Sequence, residues 1–125
     1  LKIGIVTGSA QRPLIERVTH DFGEFVSRDQ ITTAFDVKRG KPNPDPYLMG
    51  LKKAGNYAPS EGIVVENAPL GVRAGVAAGC YTVAINSGPL ADSVLINEGA
   101  NILFPTIREF ADNWEEVLNN ISNRC

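Results

Sequence analysis

Short apolar runs alternate along the chain with segments in which apolar residues recur every three or four positions. The runs predict five β-strands, at residues 3–6, 34–37, 63–65, 82–85 and 102–104. The recurring spacing predicts five helices, at residues 13–28, 45–54, 70–78, 90–98 and 106–120. Three helices carry signals for their ends: Gly55 follows the second, Gly99 follows the fourth, and Thr106 with Glu109 has the pattern of a capping box at the start of the last.

The regular alternation of strands and helices predicts an α/β fold. We expect a Rossmann-like parallel sheet with helices on both faces, formed by one domain over residues 1–125. The first and third runs are apolar at successive positions, which is typical of strands buried on both faces. In such a sheet, ligands bind beyond the carboxyl ends of the strands. The residues that follow each strand are therefore the first candidates for chemistry.

The first predicted strand is followed by Thr7, Gly8 and Ser9. A hydroxyl next to glycine, shortly before a helix, is suited to an anion, because the hydroxyl and the exposed backbone N–H groups all donate hydrogen bonds. Thr7 or Ser9 could equally cap the next turn. The sequence leaves both interpretations open.

The second predicted strand leads into Lys41, which lies in a loop with Gly40 before it and prolines at positions 42, 44 and 46. A lysine fixed by such a loop can balance phosphate charge in a transition state. The opposing interpretation is a solvated surface lysine. Three prolines within five residues favour a placed loop and therefore a functional lysine.

Glu66 and Asn67 come directly after the third predicted strand. Their carboxylate and carboxamide oxygens are hard ligands of the kind that Mg²⁺ prefers. Asn67 could also cap the following helix, and the two roles are compatible.

Several other residues point to structure rather than chemistry. Gly71, Gly75 and Gly79 share one helix face at four-residue spacing, and we expect them to let this helix pack closely on the sheet. His20 falls in the middle of a helix on a face expected to be solvated. Because no Ser or Cys at a strand end can partner it, we do not expect a His-based triad.

Composition narrows the classes of function. The chain has 125 residues, of which 43% are hydrophobic, and a net charge of -2, so it lacks the basic excess typical of nucleic-acid binding. No apolar run approaches the roughly 20 residues needed to span a bilayer, and no secretory signal peptide is recognised. We therefore expect a cytoplasmic protein without membrane or nucleic-acid partners. In that compartment Cys80 and Cys125 are not expected to pair, and Cys80 is expected to be buried.

A hydroxyl, a lysine and an acid–amide pair at three successive strand ends together suit a phosphate and a divalent metal. Their order resembles the haloacid dehalogenase (HAD) superfamily, particularly its β-phosphoglucomutase-like branch. Residues 5–9 resemble motif II, a hydrophobic strand ending in Thr or Ser. Residues 40–47 resemble motif III, with its Lys-Pro-x-Pro surroundings, and residues 63–75 resemble motif IV.

The resemblance implies Mg²⁺-dependent phosphoryl transfer through an aspartyl phosphate, by a phosphatase or phosphoglucomutase that acts on a small sugar phosphate. It implies phosphate or substrate binding at Thr7, Gly8, Ser9 and Lys41, catalysis by Thr7 and Lys41, and Mg²⁺ at Glu66 and Asn67. Members of this branch often have Glu-Asp where this chain has Glu-Asn. The neutral second group lowers the negative charge of the metal site by one.

One motif of the family has no counterpart. The family nucleophile is the first Asp of an Asp-x-Asp motif, and no Asp-x-Asp occurs in the 125 residues. The family's helical cap has no counterpart either, so the resemblance implies a partial HAD core with motifs II, III and IV, inactive by itself. In the family sheet, the motif I strand lies between the motif II and motif IV strands. We therefore expect a gap whose edges would pair with a second copy or with the missing N-terminal segment.

Three other interpretations compete with this one. A phosphate- or metal-binding module without catalysis fits the lack of a nucleophile. A dinucleotide-binding domain is disfavoured, because no Gly-x-Gly-x-x-Gly follows the first strand. A response-regulator-like receiver is disfavoured by motif order, because its lysine comes late in the chain and no metal-binding pair follows it.

Overall fold

The computed structural model describes residues 1–124 and shows an α/β core of short parallel strands. The strands are β1 (Ile5–Val6), β2 (Ile31–Thr32), β3 (Ile63–Glu66), β4 (Tyr81–Ile85) and β5 (Ile102–Phe104). The helices are α1 (Arg12–Asp21), α2 (Asp45–Gly55), α3 (Pro69–Ala77), α4 (Asp92–Ile96), α5 (Ile107–Asp112) and α6 (Trp114–Ser122). Short 3₁₀ turns cover Arg28–Gln30, Ala34–Asp36 and Pro59–Glu61. No helix in this part of the chain is long and apolar enough to cross a membrane.

The strands form two parallel sheets. β1 pairs with β2, and β4 lies between β3 and β5 in a three-stranded sheet. Within residues 1–124 no strand lies between β1 and β3. Parallel pairing throughout confirms the predicted class of fold.

Successive residues of β4 face opposite sides of the larger sheet, as a strand requires. Tyr81, Val83 and Ile85 pack in a cluster with Val117 of α6. Ala84 packs on the other side, in a cluster that includes residues of α3 and α4. Helices therefore cover both faces, and β4 is buried along its whole length.

α2 contacts both sheets. Tyr47 packs in one cluster with Val64 of β3. One turn further on, Gly50 lies so close to β1 that a Cβ there would be 3.0 Å from Cγ2 of Val6. The Lys53 ammonium donates a hydrogen bond of 2.9 Å to the backbone carbonyl at the start of β2. Helix α2 therefore connects the two sheets through its contacts with both.

The second predicted strand is wrong. Residues 34–36 form a 3₁₀ turn, and the strand lies earlier, at Ile31–Thr32, where both residues are fully buried. Thr33 ends the strand, because its hydroxyl accepts a hydrogen bond from the N–H of Phe35 and its own N–H donates to Asp36. Phe35, which makes the segment look apolar, is 58% exposed.

Three predicted helices differ from those observed, and the one predicted over residues 90–98 is shortened to Asp92–Ile96. The helix predicted over residues 13–28 ends at Asp21, shortly before Gly23, a poor helix former. The helix predicted over residues 106–120 is divided at Asn113, whose side chain donates a hydrogen bond of 2.8 Å to the carbonyl of Glu109. Such local bonding by Asn competes with helix continuation. Thr106 does cap α5, since its hydroxyl accepts from the N–H of Glu109 at 3.1 Å.

The first predicted strand is shorter and less buried than expected. β1 consists of Ile5 and Val6, which are half-buried, while Ile3 is 53% exposed. The expectation of burial on both faces is wrong for this strand and also for β3, where Val65 is 43% exposed. In the described residues each of these strands pairs along one edge only.

Candidate active site

The loop after β1 is fixed by its own hydroxyl groups. The N–H of Thr7 donates to the carbonyl of Thr32 at 2.9 Å and so continues the pairing with β2. Thr7 Oγ1 accepts from the N–H of Ser9 at 3.2 Å, and Ser9 Oγ accepts from the N–H of Gln11 at 3.1 Å. Both hydroxyls therefore cap the turn, which was one of the two interpretations. Each keeps a proton that it can donate to an anion, so capping and anion binding are compatible.

The loop that carries Lys41 is held on both sides of the lysine. The Asn43 side chain donates to the carbonyl of Gly40 at 3.1 Å. The Arg39 guanidinium makes two hydrogen bonds, of 3.3 and 3.0 Å, to the carboxylate of Asp45 in the first turn of α2. The Lys41 side chain is only 21% exposed. The loop therefore directs Lys41 inward, as a placed loop would.

Lys41 meets Glu66, the last residue of β3. Its Nζ lies 2.8 Å from Glu66 Oε2, and the Tyr47 hydroxyl donates to the same oxygen at 2.6 Å. The other carboxylate oxygen, Oε1, accepts from the N–H groups of Asn67 at 2.9 Å and Ala68 at 3.3 Å. Four donors thus fix the Glu66 carboxylate, whose side chain is 10% exposed. Lys41 Nζ also lies 4.9 Å from the centre of the Tyr47 ring, within cation–π range.

The electrostatics of this group keep the Glu66 carboxylate charged and the Tyr47 hydroxyl neutral. Burial would raise the pKa of Glu66, but the hydrogen bonds from Lys41 and Tyr47 outweigh burial and lower that pKa below its usual value. Glu66 is therefore an anion at neutral pH. Burial, together with the adjacent Glu66 carboxylate, raises the pKa of Tyr47 far above its usual value, so Tyr47 remains a hydrogen-bond donor.

Gly71 in α3 makes room for the Glu66 carboxylate. A Cβ at Gly71 would overlap the Glu66 side chain. Gly75, one turn later, does serve close helix–sheet packing, because a Cβ there would lie 2.8 Å from Thr82 Oγ1 and 2.9 Å from Val64 Cγ1. Close packing on β3 is therefore confirmed for Gly71 and Gly75, whereas the expectation is wrong for Gly79, which lies beyond the end of α3 with a φ of +87° and whose Cβ would meet Pro59 instead of the sheet.

Asn67 is exposed next to this group and does not cap α3, which was the other role that the sequence allowed. The N-cap of α3 is Ala68, and no side chain caps that helix. Capping by Asn67 is therefore not observed, and within residues 1–124 its side chain makes no hydrogen bond. The carboxamide oxygen suits a hard cation such as Mg²⁺.

The donor set at this position can hold only part of a magnesium shell. Glu66 and Asn67 supply oxygen atoms of the right kind, but both Glu66 oxygens already accept hydrogen bonds. Residues 1–124 contain no group of three or more His, Cys, Asp or Glu side chains that could hold a metal ion. A cation here would need further ligands, from water, phosphate or other protein groups.

An open depression of about 260 Å³ lies at the carboxyl ends of β3 and β4. It is lined by Val65, Glu66, Asn67, Ile85, Ser87 and Ile107. The acid–amide pair therefore borders space that a small ligand can enter, on the side of the sheet where ligands of parallel folds bind.

The positions of His20 and Cys80 agree with the expectation that neither takes part in chemistry. The His20 side chain is 90% exposed and lies 3.3 Å from the carboxylate of Asp21. Cys80 is buried as a free thiol, as expected. Cys125 lies outside the described residues. Tyr47 and Gly71 contact Glu66 but received no site role from the sequence, in which their only signal was their place within the stretches resembling motifs III and IV.

This arrangement defines a class of protein: an open parallel α/β sheet with a polar site at the carboxyl ends of its strands. The model of the haloacid dehalogenase-like hydrolase family matches residues 1–85, and the chain belongs to this family. Within the family it falls in the β-phosphoglucomutase-like branch, in agreement with the resemblance found in its motifs.

Three similar proteins place the chain more closely. It is 44% identical over 84 residues to hexitol phosphatase A of Escherichia coli, covering 67% of this chain and 38% of that protein. It is 34% identical to validoxylamine A 7'-phosphate phosphatase of Streptomyces hygroscopicus, covering 84% of this chain and 51% of that protein. The structure of a candidate β-phosphoglucomutase from Bacteroides vulgatus matches with a TM-score of 0.86 and 52% identity, over 97% of this chain and 48% of that one. The chain thus spans about half or less of the length of these relatives.

Proposed function

We propose that the protein catalyses Mg²⁺-dependent phosphoryl transfer on a small sugar phosphate, as a phosphatase or a phosphomutase. The observation that carries this proposal is the contact between Lys41 and Glu66 beside the exposed Asn67. A partly buried cation paired with a carboxylate that borders an open depression, with oxygen ligands for a metal, suits the charge that a phosphoryl group develops in transfer.

Each residue of the site has a distinct role in this proposal. Thr7, with Gly8 and Ser9, would donate hydrogen bonds to the phosphoryl oxygens through protons that the loop leaves available. Lys41 would offset the negative charge of the phosphoryl group and of the nucleophile. Because these contributions are positioning and electrostatics, they require groups that are already in place before the reaction.

The nucleophile would be an aspartate outside these 125 residues, since no Asp-x-Asp occurs among them. Its carboxylate would attack phosphorus, the bond to the leaving oxygen would break, and an aspartyl phosphate would form. Water would then release phosphate, or a sugar hydroxyl would accept the phosphoryl group. Mg²⁺, held by Asn67 and by Glu66 directly or through water, would supply charge neutralisation at the phosphoryl oxygens.

The names of similar proteins support a phosphorylated carbohydrate or polyol as substrate. One relative is a hexitol phosphatase, and another, from Thermotoga maritima, is a phosphorylated carbohydrates phosphatase that is 28% identical over 119 residues. Phosphatase and phosphoglucomutase names both occur among the similar proteins, so the acceptor of the phosphoryl group is the property to measure.

The decisive experiment measures turnover by the full-length protein of p-nitrophenyl phosphate and of a panel of hexose and hexitol phosphates, with Mg²⁺ and with EDTA. Release of inorganic phosphate that EDTA abolishes and Mg²⁺ restores would support a phosphatase. Conversion of β-glucose 1-phosphate to glucose 6-phosphate without phosphate release would support a mutase.

A second candidate is a phosphate- or metal-binding module without catalysis, which the lack of an Asp-x-Asp favours. It predicts binding of inorganic phosphate or Mg²⁺ by the full-length protein and no turnover of any phosphate ester in the same assays. Turnover that is lost with Lys41→Ala would exclude it.

A further inference from the structure

Tyr47 contacts both members of the charged pair. It lies in the first half of α2 and is buried, at 8% exposure, in a cluster with Val64 and Ala74. Packing on two elements fixes the ring, and the ring fixes the direction of its hydroxyl. That hydroxyl donates to Glu66 Oε2 at 2.6 Å, and Lys41 Nζ donates to the same oxygen at 2.8 Å.

Sharing one oxygen limits where Lys41 can lie. A carboxylate oxygen has two lone pairs, so the tyrosine hydroxyl occupies one acceptor direction and leaves the other for the ammonium. The Tyr47 ring also lies 4.9 Å from Lys41 Nζ, on a second side of the ammonium. Lysine has a flexible four-carbon stem, so its ammonium needs such external constraints to stay in one place.

The other contacts of Glu66 complete the fixation. Oε1 is held by two backbone N–H groups at the start of α3, and Gly71 leaves the volume that the carboxylate fills. Without the Tyr47 hydroxyl, Oε2 would have Lys41 as its only donor among the described residues. The ammonium could then move around that oxygen.

We propose that Tyr47 is a positioning residue, whose hydroxyl acts through Glu66 to hold the Lys41 ammonium where it meets the phosphoryl group. This inference rests on the proposed function of Lys41 and adds a residue to it. If Tyr47 served only in packing, its replacement by phenylalanine would leave kcat unchanged. If its hydroxyl positions Lys41, the same replacement lowers kcat.

The test is Tyr47→Phe in the full-length protein, which keeps the ring and removes the hydroxyl. We expect kcat to fall about tenfold, the lower end of the effect of losing a group that orients a site residue. KM should stay within about twofold, because the hydroxyl does not touch the substrate. Tyr57→Phe is the matched control: Tyr57 is 40% exposed, lies just after α2, and should leave kcat unchanged.

Two further measurements separate positioning from a general structural effect. In a Lys41→Ala background, Tyr47→Phe should cost less than about twofold, since the group that it positions is already gone. The inhibition constant of inorganic vanadate, which adopts the five-coordinate geometry of a phosphoryl group in transfer, should rise about tenfold in Tyr47→Phe.

Some outcomes would reject the positioning role of Tyr47, and a different outcome would reject the proposed role of Lys41. A loss of less than about twofold in Tyr47→Phe, an equal loss in the Lys41→Ala background, or an unchanged vanadate constant would each reject the positioning role. If Lys41→Ala itself cost less than about threefold, the proposed role of Lys41 would fail first.

Discussion

Lys41 and Glu66 are 25 positions apart in the chain, yet Lys41 Nζ lies 2.8 Å from Glu66 Oε2. Their side chains are only 21% and 10% exposed, so each charge depends on the other for compensation. Without Lys41, the Glu66 carboxylate would keep the Tyr47 hydroxyl and the N–H groups of Asn67 and Ala68 as donors, but no cation. The pair also joins the loop before α2 to the end of β3.

Lys41→Ala in the full-length protein should lower kcat on the order of 100-fold, because the charge that stabilises the transferring phosphoryl group is lost. Steady-state kinetics on the best substrate of the panel would measure this. Lys52→Ala, at an exposed position of α2, is the control and should change kcat little. A loss below about threefold for Lys41→Ala would contradict the catalytic role.

Asn67→Asp should strengthen the binding of Mg²⁺. The new carboxylate adds one negative charge at an exposed position beside Glu66, and a charge at ligand distance contributes more than a neutral carbonyl. We expect the Mg²⁺ concentration that gives half-maximal activity to fall roughly tenfold. Titration of activity with Mg²⁺ after EDTA treatment would check this, and an unchanged midpoint would argue that Asn67 does not face the metal.

Gly71→Ala and Gly75→Ala form a matched pair on α3. Each new methyl meets side chains, so each should lower the free energy of unfolding by about 1–3 kcal/mol. Only Gly71→Ala displaces the Glu66 carboxylate, so only this variant should also lose kcat, by more than about tenfold. Unfolding curves and kinetics on both variants would be compared. Equal kcat in the two would show that Glu66 tolerates displacement.

Asp36 should make stability depend on pH in the acid range. Burial would raise its pKa, but the hydrogen bond from the Thr33 N–H and the nearby Lys53 lower it below the usual 3.8. A carboxylate with a lowered pKa in the folded state contributes stability that is full above the unfolded pKa and disappears as pH falls through the folded value. Asp36→Asn should therefore be less stable than the parent at pH 7, by up to about 1 kcal/mol.

The measurement for Asp36 is the unfolding free energy of the parent and of Asp36→Asn between neutral pH and pH 2 to 3. The difference should be constant down to about pH 4 and shrink below it, as the parent takes up a proton on Asp36. A difference that grows on acidification would mean that the folded protein raises the pKa of Asp36 instead of lowering it.

The sequence predicts the larger sheet well because its strands are continuous apolar runs with turn residues on either side. The runs at residues 63–65, 82–85 and 102–104 correspond to β3, β4 and β5 with shifts of at most one residue. The strand at Ile31–Thr32 escapes prediction because it has only two residues, and the nearby Phe35 makes the next segment look more apolar. Its burial comes from pairing with β1, which local sequence does not contain.

The sequence groups the candidate site residues at one edge of the sheet but does not predict the hydrogen bonds between them. It gives Lys41 and Glu66 separate roles, because the local pattern does not indicate a direct contact between residues 25 positions apart. The role of Gly71 as the space for a carboxylate depends on how α3 crosses the end of β3, which is a property of packing. Candidates for chemistry at strand ends can thus be selected from sequence, whereas the hydrogen bonds that orient them follow only from the three-dimensional structure.

The position of α2 between the two sheets has a dynamic consequence. The loop that carries Thr7 and Ser9 follows β1 of the smaller sheet, and Glu66 ends β3 of the larger sheet. Helix α2 packs on both sheets. A rigid-body shift of this helix by an ångström would move Tyr47 and the sheet contacts of Gly50 together. Thermal motion of α2 would then displace the Thr7 loop and the Lys41–Glu66 pair at the same time. A ligand that binds both Thr7 and Lys41 would reduce this motion. Amide hydrogen exchange in α2 should accordingly slow when phosphate or vanadate is bound.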